Sequence, residues 1–87
     1  MWRRVTKNYA VRIDGRPGER VIVTLRHGGS IVKFSARVFI QGGYTYVIIP
    51  KPVREAYGIR PHDEVEILSI SANNSAIRFP FSVSITL

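Results

Sequence analysis

Apolar and polar residues alternate over most of the chain with the period of two that marks strands with one buried face. Val32, Phe34, Ala36, Val38 and Ile40 fall on one side of such a strand, and Ile31, Lys33, Ser35, Arg37 and Phe39 on the other. Phe81, Val83, Ile85 and Leu87 alternate with Ser82, Ser84 and Thr86 in the same way. Shorter runs rich in β-branched and aromatic residues predict strands over 9–13, 21–25, 44–49 and 64–70, and a short one over 77–79.

The punctuation between these runs suits hairpins. Asp14-Gly15-Arg16-Pro17-Gly18 separates the first two, and His27-Gly28-Gly29-Ser30 separates Leu25 from Ile31. Gln41-Gly42-Gly43 breaks the long strand before Tyr44, and Ala72-Asn73-Asn74-Ser75 turns the chain before Ile77. A single stretch reads as helix, Pro52 to Tyr57, closed by Gly58 and barred from continuing by Pro61. So short a helix cannot hold itself together in water. It must rest on the strands, with Val53, Ala56 and Tyr57 as its expected buried side.

Charge changes the picture from fold to partner. Thirteen Lys and Arg against six Asp and Glu give a net +7. Residues 1–43 hold nine bases and two acids, whereas residues 44–87 hold four of each. One half carries all of the surplus, which points to a polyanionic partner through attraction and counterion release. The 87 residues include no cysteine, so disulfides and thiolate metal sites are excluded. A chain this short buries only roughly 60–65 % of its unfolded surface, and help from a second subunit is expected. No apolar run reaches the ~18 residues that cross a bilayer, and no apolar signal-like segment follows the basic N-terminus. The expected setting is the cytoplasm, in association with the nucleoid and away from membranes.

The segment Tyr46-Val47-Ile48-Ile49-Pro50-Lys51-Pro52-Val53-Arg54-Glu55-Ala56-Tyr57-Gly58-Ile59-Arg60-Pro61-His62-Asp63-Glu64-Val65-Glu66-Ile67 resembles the SpoVT/AbrB family. The matches are Ile49-Pro50, Val53-Arg54, Gly58-Ile59, Pro61, Asp63 and Val65-Glu66-Ile67, in order and at the family's spacing. The resemblance spans residues 36–79. It implies a mainly β swapped-hairpin barrel with one short helix, formed by an intertwined homodimer. Residues 36–87 would be the AbrB-like domain with its C-terminal strand. Residues 1–35 would be a basic N-terminal β extension with an extra hairpin. Interleaving two chains would join two undersized cores into one.

The resemblance further implies a regulator that binds double-stranded DNA and carries out no catalysis. Its contacts would come from Lys33 and Arg37 on the polar face of the long strand, and from Lys51 and Arg54 at the helix. Arg3, Arg4 and Lys7, beside Trp2, read as a basic N-terminal arm that adds phosphate contacts. Two positions depart from the family pattern. Thr45-Tyr46 stands where many members carry Gly-Arg, and His62 stands where glycine is usual. Histidine is among the few other residues that visit positive φ. Tyr44 and Tyr46 read mainly as fillers of the barrel or dimer seam, with a base-stacking surface as the alternative.

Two other functions compete. An antitoxin would bind its operator and a toxin partner, but the alternating C-terminal segment lacks the extended acidic character of a toxin-wrapping tail. An RNA- or protein-binding β-barrel module would show exposed aromatics on a sheet and a preference for single strands. Nothing supports an enzyme or a cofactor. Gly28-Gly29-Ser30 lacks the Lys-Ser/Thr of a phosphate loop, no nucleophile elbow is present, and His27 and His62 have no metal-ligand spacing.

Overall fold

The computed structural model describes residues 1–72. The strands expected at 77–79 and 81–87 lie outside them. The described residues form β1 (Trp2–Arg4), β2 (Ala10–Arg12), β3 (Arg20–His27), β4 (Ser30–Arg37), β5 (Phe39–Gln41), β6 (Tyr44–Ile48), α1 (Lys51–Tyr57) and β7 (Glu64–Ala72). Two antiparallel sheets result. One has four strands in the order β1-β7-β3-β4, and the other has three in the order β2-β6-β5. The expected mainly β class with one short helix is what the chain adopts.

β3 and β4 form the longest hairpin, in register from Arg20 opposite Arg37 to His27 opposite Ser30. Val21, Val23 and Leu25 on β3 and Val32, Phe34 and Ala36 on β4 point into the core, as period-two alternation requires. Their neighbours on the other face stay exposed or half-buried. The β5–β6 hairpin turns through Gly42 and Gly43, whose φ angles of +61° and +85° suit a tight two-residue turn that other residues enter at a cost.

The expected strand over 31–40 is instead broken at Val38. Its N–H donates to the Glu19 carbonyl at 2.8 Å, and its own carbonyl accepts from Gly18 N–H at 2.7 Å. Val38 is 1 % exposed, and a Cβ on Gly15 would meet its Cγ2 at 3.2 Å. The chain therefore leaves the first sheet at Val38 and starts the second at Phe39. Ile40, expected on the buried face, is exposed at the free edge of β5 as a consequence.

The N-terminal segment corrects two further expectations. Residues 9–13 and 21–25 do not pair across the Asp14–Gly18 turn, because β2 joins β6 in one sheet and β3 joins β4 and β7 in the other. The extra hairpin of the N-terminal region is β3–β4. Trp2 to Arg4 is not a loose arm, since β1 pairs with β7 and Val5 is fully buried. Val5 N–H donates to the Asp63 carbonyl, and its carbonyl accepts from His62 N–H.

Of the fifteen buried apolar residues among the described residues, nine (Val5, Ala10, Val11, Ile13, Val21, Val23, Leu25, Val32 and Phe34) lie in the first 35. Ala36, Val38, Val47, Ile49, Ile59 and Val65 complete the set. Strands from both sides of residue 35 are hydrogen-bonded neighbours in both sheets. β7 keeps two apolar residues inward by means of a bulge. Ile67 lies opposite Leu25 and Ile70 opposite Val23, with Leu68 as the extra, exposed residue.

Helix α1 starts after Pro50 and ends at Gly58, which takes φ +66°. None of its residues is fully buried. Val53 and Arg54 are half-buried, whereas Ala56 and Tyr57, expected inside, are exposed. Ile49 and Ile59, just beyond its two ends, do the anchoring instead. The turn before β7 is drawn in by Asp63, whose carboxylate accepts from Arg60 N–H at 2.9 Å and meets His27 Nε2 at 2.9 Å. His62 takes φ +73° in that turn, the conformation in which a glycine is usual.

Two measurements test this arrangement. Val5→Ala should lower the unfolding free energy by about 1.5–3 kcal/mol, on the same urea-unfolding scale where Leu25→Ala loses about 2–5 kcal/mol. A Val5 variant as stable as the parent would mean that β1 frays independently of the core. The Arg60 N–H, and after it the His27 ring, hold the Asp63 carboxyl below its ordinary pKa. A depressed folded pKa gives stability that is present above the unfolded value of ~3.9 and is lost as pH falls through the folded one. Asp63→Asn should therefore flatten the melting temperature's dependence on pH below about 4, read by circular dichroism across an acid series.

Candidate nucleic-acid interface

The outer face of the β3–β4 ribbon is basic because alternation puts every second residue there. Arg20, Ile22, Thr24 and Arg26 on β3 stand beside Arg37, Ser35, Lys33 and Ile31 on β4. Arg20 and Arg37 are directly opposite, a like-charge pair that weakens a sheet unless an anion lies over it. Arg37 is held in place by a hydrogen bond from Nη1 to the Gly18 carbonyl at 2.9 Å. Arg20 Nη1 lies 3.5 Å from Ser35 Oγ. Arg26 is partly neutralised by Glu66 on the neighbouring β7, at 2.9 Å. Lys33 is exposed and has no ion pair among the described residues.

α1 packs near β4 and adds to this side. Lys51 is exposed at its start. Arg54 lays its guanidinium over the Tyr9 ring, 3.8 Å from the centroid. Tyr9 has φ +62°, and its carbonyl accepts from Ile49 N–H, so this stack ties the helix to the turn that opens β2. Part of Arg54 thus serves packing, with the remaining N–H groups outward.

The other predicted cations fall elsewhere. β1 and β4 are opposite edges of the four-stranded sheet, about 14 Å apart at ordinary strand spacing. Arg4 pairs with Glu64 at 3.2 Å, with both side chains mostly exposed. Such a pair contributes little stability. Arg3 turns toward the second sheet, where Nε donates to the Arg12 carbonyl at 3.2 Å. Lys7 lies beside the second sheet and lines its outer groove. Of the seven predicted residues, Lys33 and Arg37 lie on the outer face of β4, Lys51 and Arg54 on α1, Arg3 and Arg4 on the far edge strand, and Lys7 beside the second sheet.

That other face was weighed in sequence only through Tyr44 and Tyr46. The strand parity of β5 and β6 turns Phe39, Tyr44, Tyr46 and Ile48 outward while Val47 faces the core. Phe39 and Tyr46 are opposite neighbours with stacked rings, 5.8 Å between centroids. Arg12 crosses from β2 and sets its guanidinium 3.9 Å over the Tyr44 ring. A groove of about 480 Å³ runs over this face. A second, of about 340 Å³, continues from Phe39 and Ile48 to Arg37 and Pro50. No carboxylate lines either groove. Tyr44 does not fill the core, being half-exposed. Arg12 and Phe39 were not legible as site residues, since only the pairing of β2 with β6, distant in sequence, brings them to Tyr44 and Tyr46.

No family model matches the chain, and no curated protein matches it. Among solved structures it is similar to the solution structure of PHS018 from Pyrococcus horikoshii, with a TM-score of 0.57 and 26 % sequence identity. The match covers 84 % of this chain and 91 % of that one, so the likeness extends over most of both.

Proposed function

We propose that this chain is a DNA-binding transcriptional regulator of the AbrB type, which acts by occupying double-stranded DNA and performs no reaction. The observation that carries this reading is the β3–β4 ribbon, a hairpin of two eight-residue strands with Arg20, Arg26, Lys33 and Arg37 on one face and no carboxylate on either strand. A two-stranded ribbon fits the ~12 Å major groove of B-DNA. The Arg20–Arg37 juxtaposition costs folding energy in the free protein and is relieved by a phosphate between the two. Lys33 and Lys51 supply phosphate contacts. Arg37, fixed by Gly18, is the residue best placed to fork onto a base edge.

A homodimer belongs to the proposal, because two copies of the ribbon would read two half-sites. Fifteen apolar residues are buried among the described residues of one chain. Sedimentation equilibrium at micromolar concentration should show a dimer. A folded monomer would remove the swapped-hairpin arrangement and leave the ribbon to act alone.

Duplex affinity is expected to fall steeply with salt, with a slope of about −0.9 per neutralised phosphate in log–log form. Lys33→Ala and Lys51→Ala should each lower that slope by about one and weaken all sequences alike. Arg37→Ala should cost ~1–3 kcal/mol on a specific site and relax its selectivity. Fluorescence anisotropy with labelled duplexes over a salt series measures all three. A flat dependence on salt would assign the basic face to some other partner.

A further inference from the structure

The outer face of the second sheet is unexplained by duplex binding. It is aromatic where the β3–β4 face is cationic. Phe39 and Tyr46 stack on one another, and Tyr44 stands beside them with nearly half of its surface exposed. Solvent-exposed aromatics on a small protein are expensive to maintain without a partner. The charged groups around them are Arg12, over the Tyr44 ring, Lys7 in the first groove and Arg37 in the second, with the neutral Thr6, Asn8, Gln41 and Ser35 also in the lining. Positive groups in both grooves with no carboxylate in the lining suit a chain of phosphates whose attached groups are flat and apolar.

We propose that this face binds single-stranded nucleic acid, with bases stacked on Tyr44 and on the Phe39–Tyr46 pair and phosphates held by Lys7, Arg12 and Arg37. The geometry of the chain break supports this pairing of contacts. Arg37 and Phe39 flank Val38, so a phosphate group at the edge of one sheet and a base on the other are offered by residues two apart. Base–aromatic stacking is tolerant of sequence because every base has a π-face, and the guanidinium of Arg12 adds a cation–π component. A second copy of this chain is a poorer occupant, since its matching face brings cations and no lining carboxylate to meet Arg12 and Lys7. The inference shares Arg37 with the duplex-binding reading, whereas Tyr44, the Phe39–Tyr46 pair, Arg12 and Lys7 belong to it alone.

The test is anisotropy titration with labelled oligothymidylate and oligouridylate of about 8 nucleotides, beside a duplex of the same length. Both single strands should bind, and Tyr44→Ala should weaken them by roughly 5- to 100-fold, the range that one stacked base contributes. Tyr44→Phe, which keeps the ring, should restore the parent affinity. Tyr44→Ala should leave duplex affinity unchanged, and circular dichroism should show the parent fold. Single strands that bind equally well to folded Tyr44→Ala would overturn the inference, as would a dimer that Tyr44→Ala dissociates. Loss of duplex binding alone would count against the regulator reading and leave this one standing.

Discussion

The fold turns on Val38. Its side chain is buried, and both of its backbone groups are bonded to the loop that enters β3. That double tether stops β4 from continuing in its own sheet and redirects the chain into β5. It also fixes the loop itself, since Gly18 donates to Val38 while its carbonyl accepts from Arg37. Gly15 packs closely here, where a Cβ would stand 3.2 Å from Val38 Cγ2 and require the valine to give way slightly. A residue that could not be buried at position 38 would lose the tether, and with it the divergence of the two sheets. Both candidate faces exist because the sheets part at this point.

Charge is distributed around that hinge with a consistent logic. On β7 the carboxylates Glu64 and Glu66 neutralise Arg4 and Arg26, so that edge of the first sheet is balanced. On β4 nothing comparable is present among the described residues, and Arg37 instead faces Arg20. Of the nine bases in residues 1–43, Arg20, Arg26, Lys33 and Arg37 lie on the β3–β4 ribbon, and the others lie elsewhere on the molecule. An unbalanced edge also resists pairing with another strand, which protects β4 from edge-to-edge association. The same cations therefore limit aggregation in the free protein and attract an anion when one is offered.

Local pattern carried much of this into view. The alternation from Ile31 to Arg37 fixed the facing of β4, and Gly58 with Pro61 closed the helix where expected. His62 took the positive φ that its place in the Pro-His-Asp turn demands. What escaped were consequences of long-range pairing. Val5 looks like one apolar residue in a basic tail until β1 meets β7. The break at Val38 leaves no mark on the alternation, because the tether comes from residues 18 and 19. Arg54 matched the family motif, yet its stack on Tyr9 depends on a turn that sequence could not place beside the helix.

Residues 1–35 take a full part in the core. Nine of the fifteen buried apolar residues among the described residues lie in that segment and six lie in residues 36–72. The two outer faces differ in what they offer to a second copy. On the ribbon face, like charges oppose contact between copies until a polyanion bridges them. On the aromatic face, apolar area favours contact, while Arg12 and Lys7 oppose the approach of an identical surface. Both outer faces thus carry cationic side chains, Arg20, Lys33 and Arg37 on one and Arg12 and Lys7 on the other.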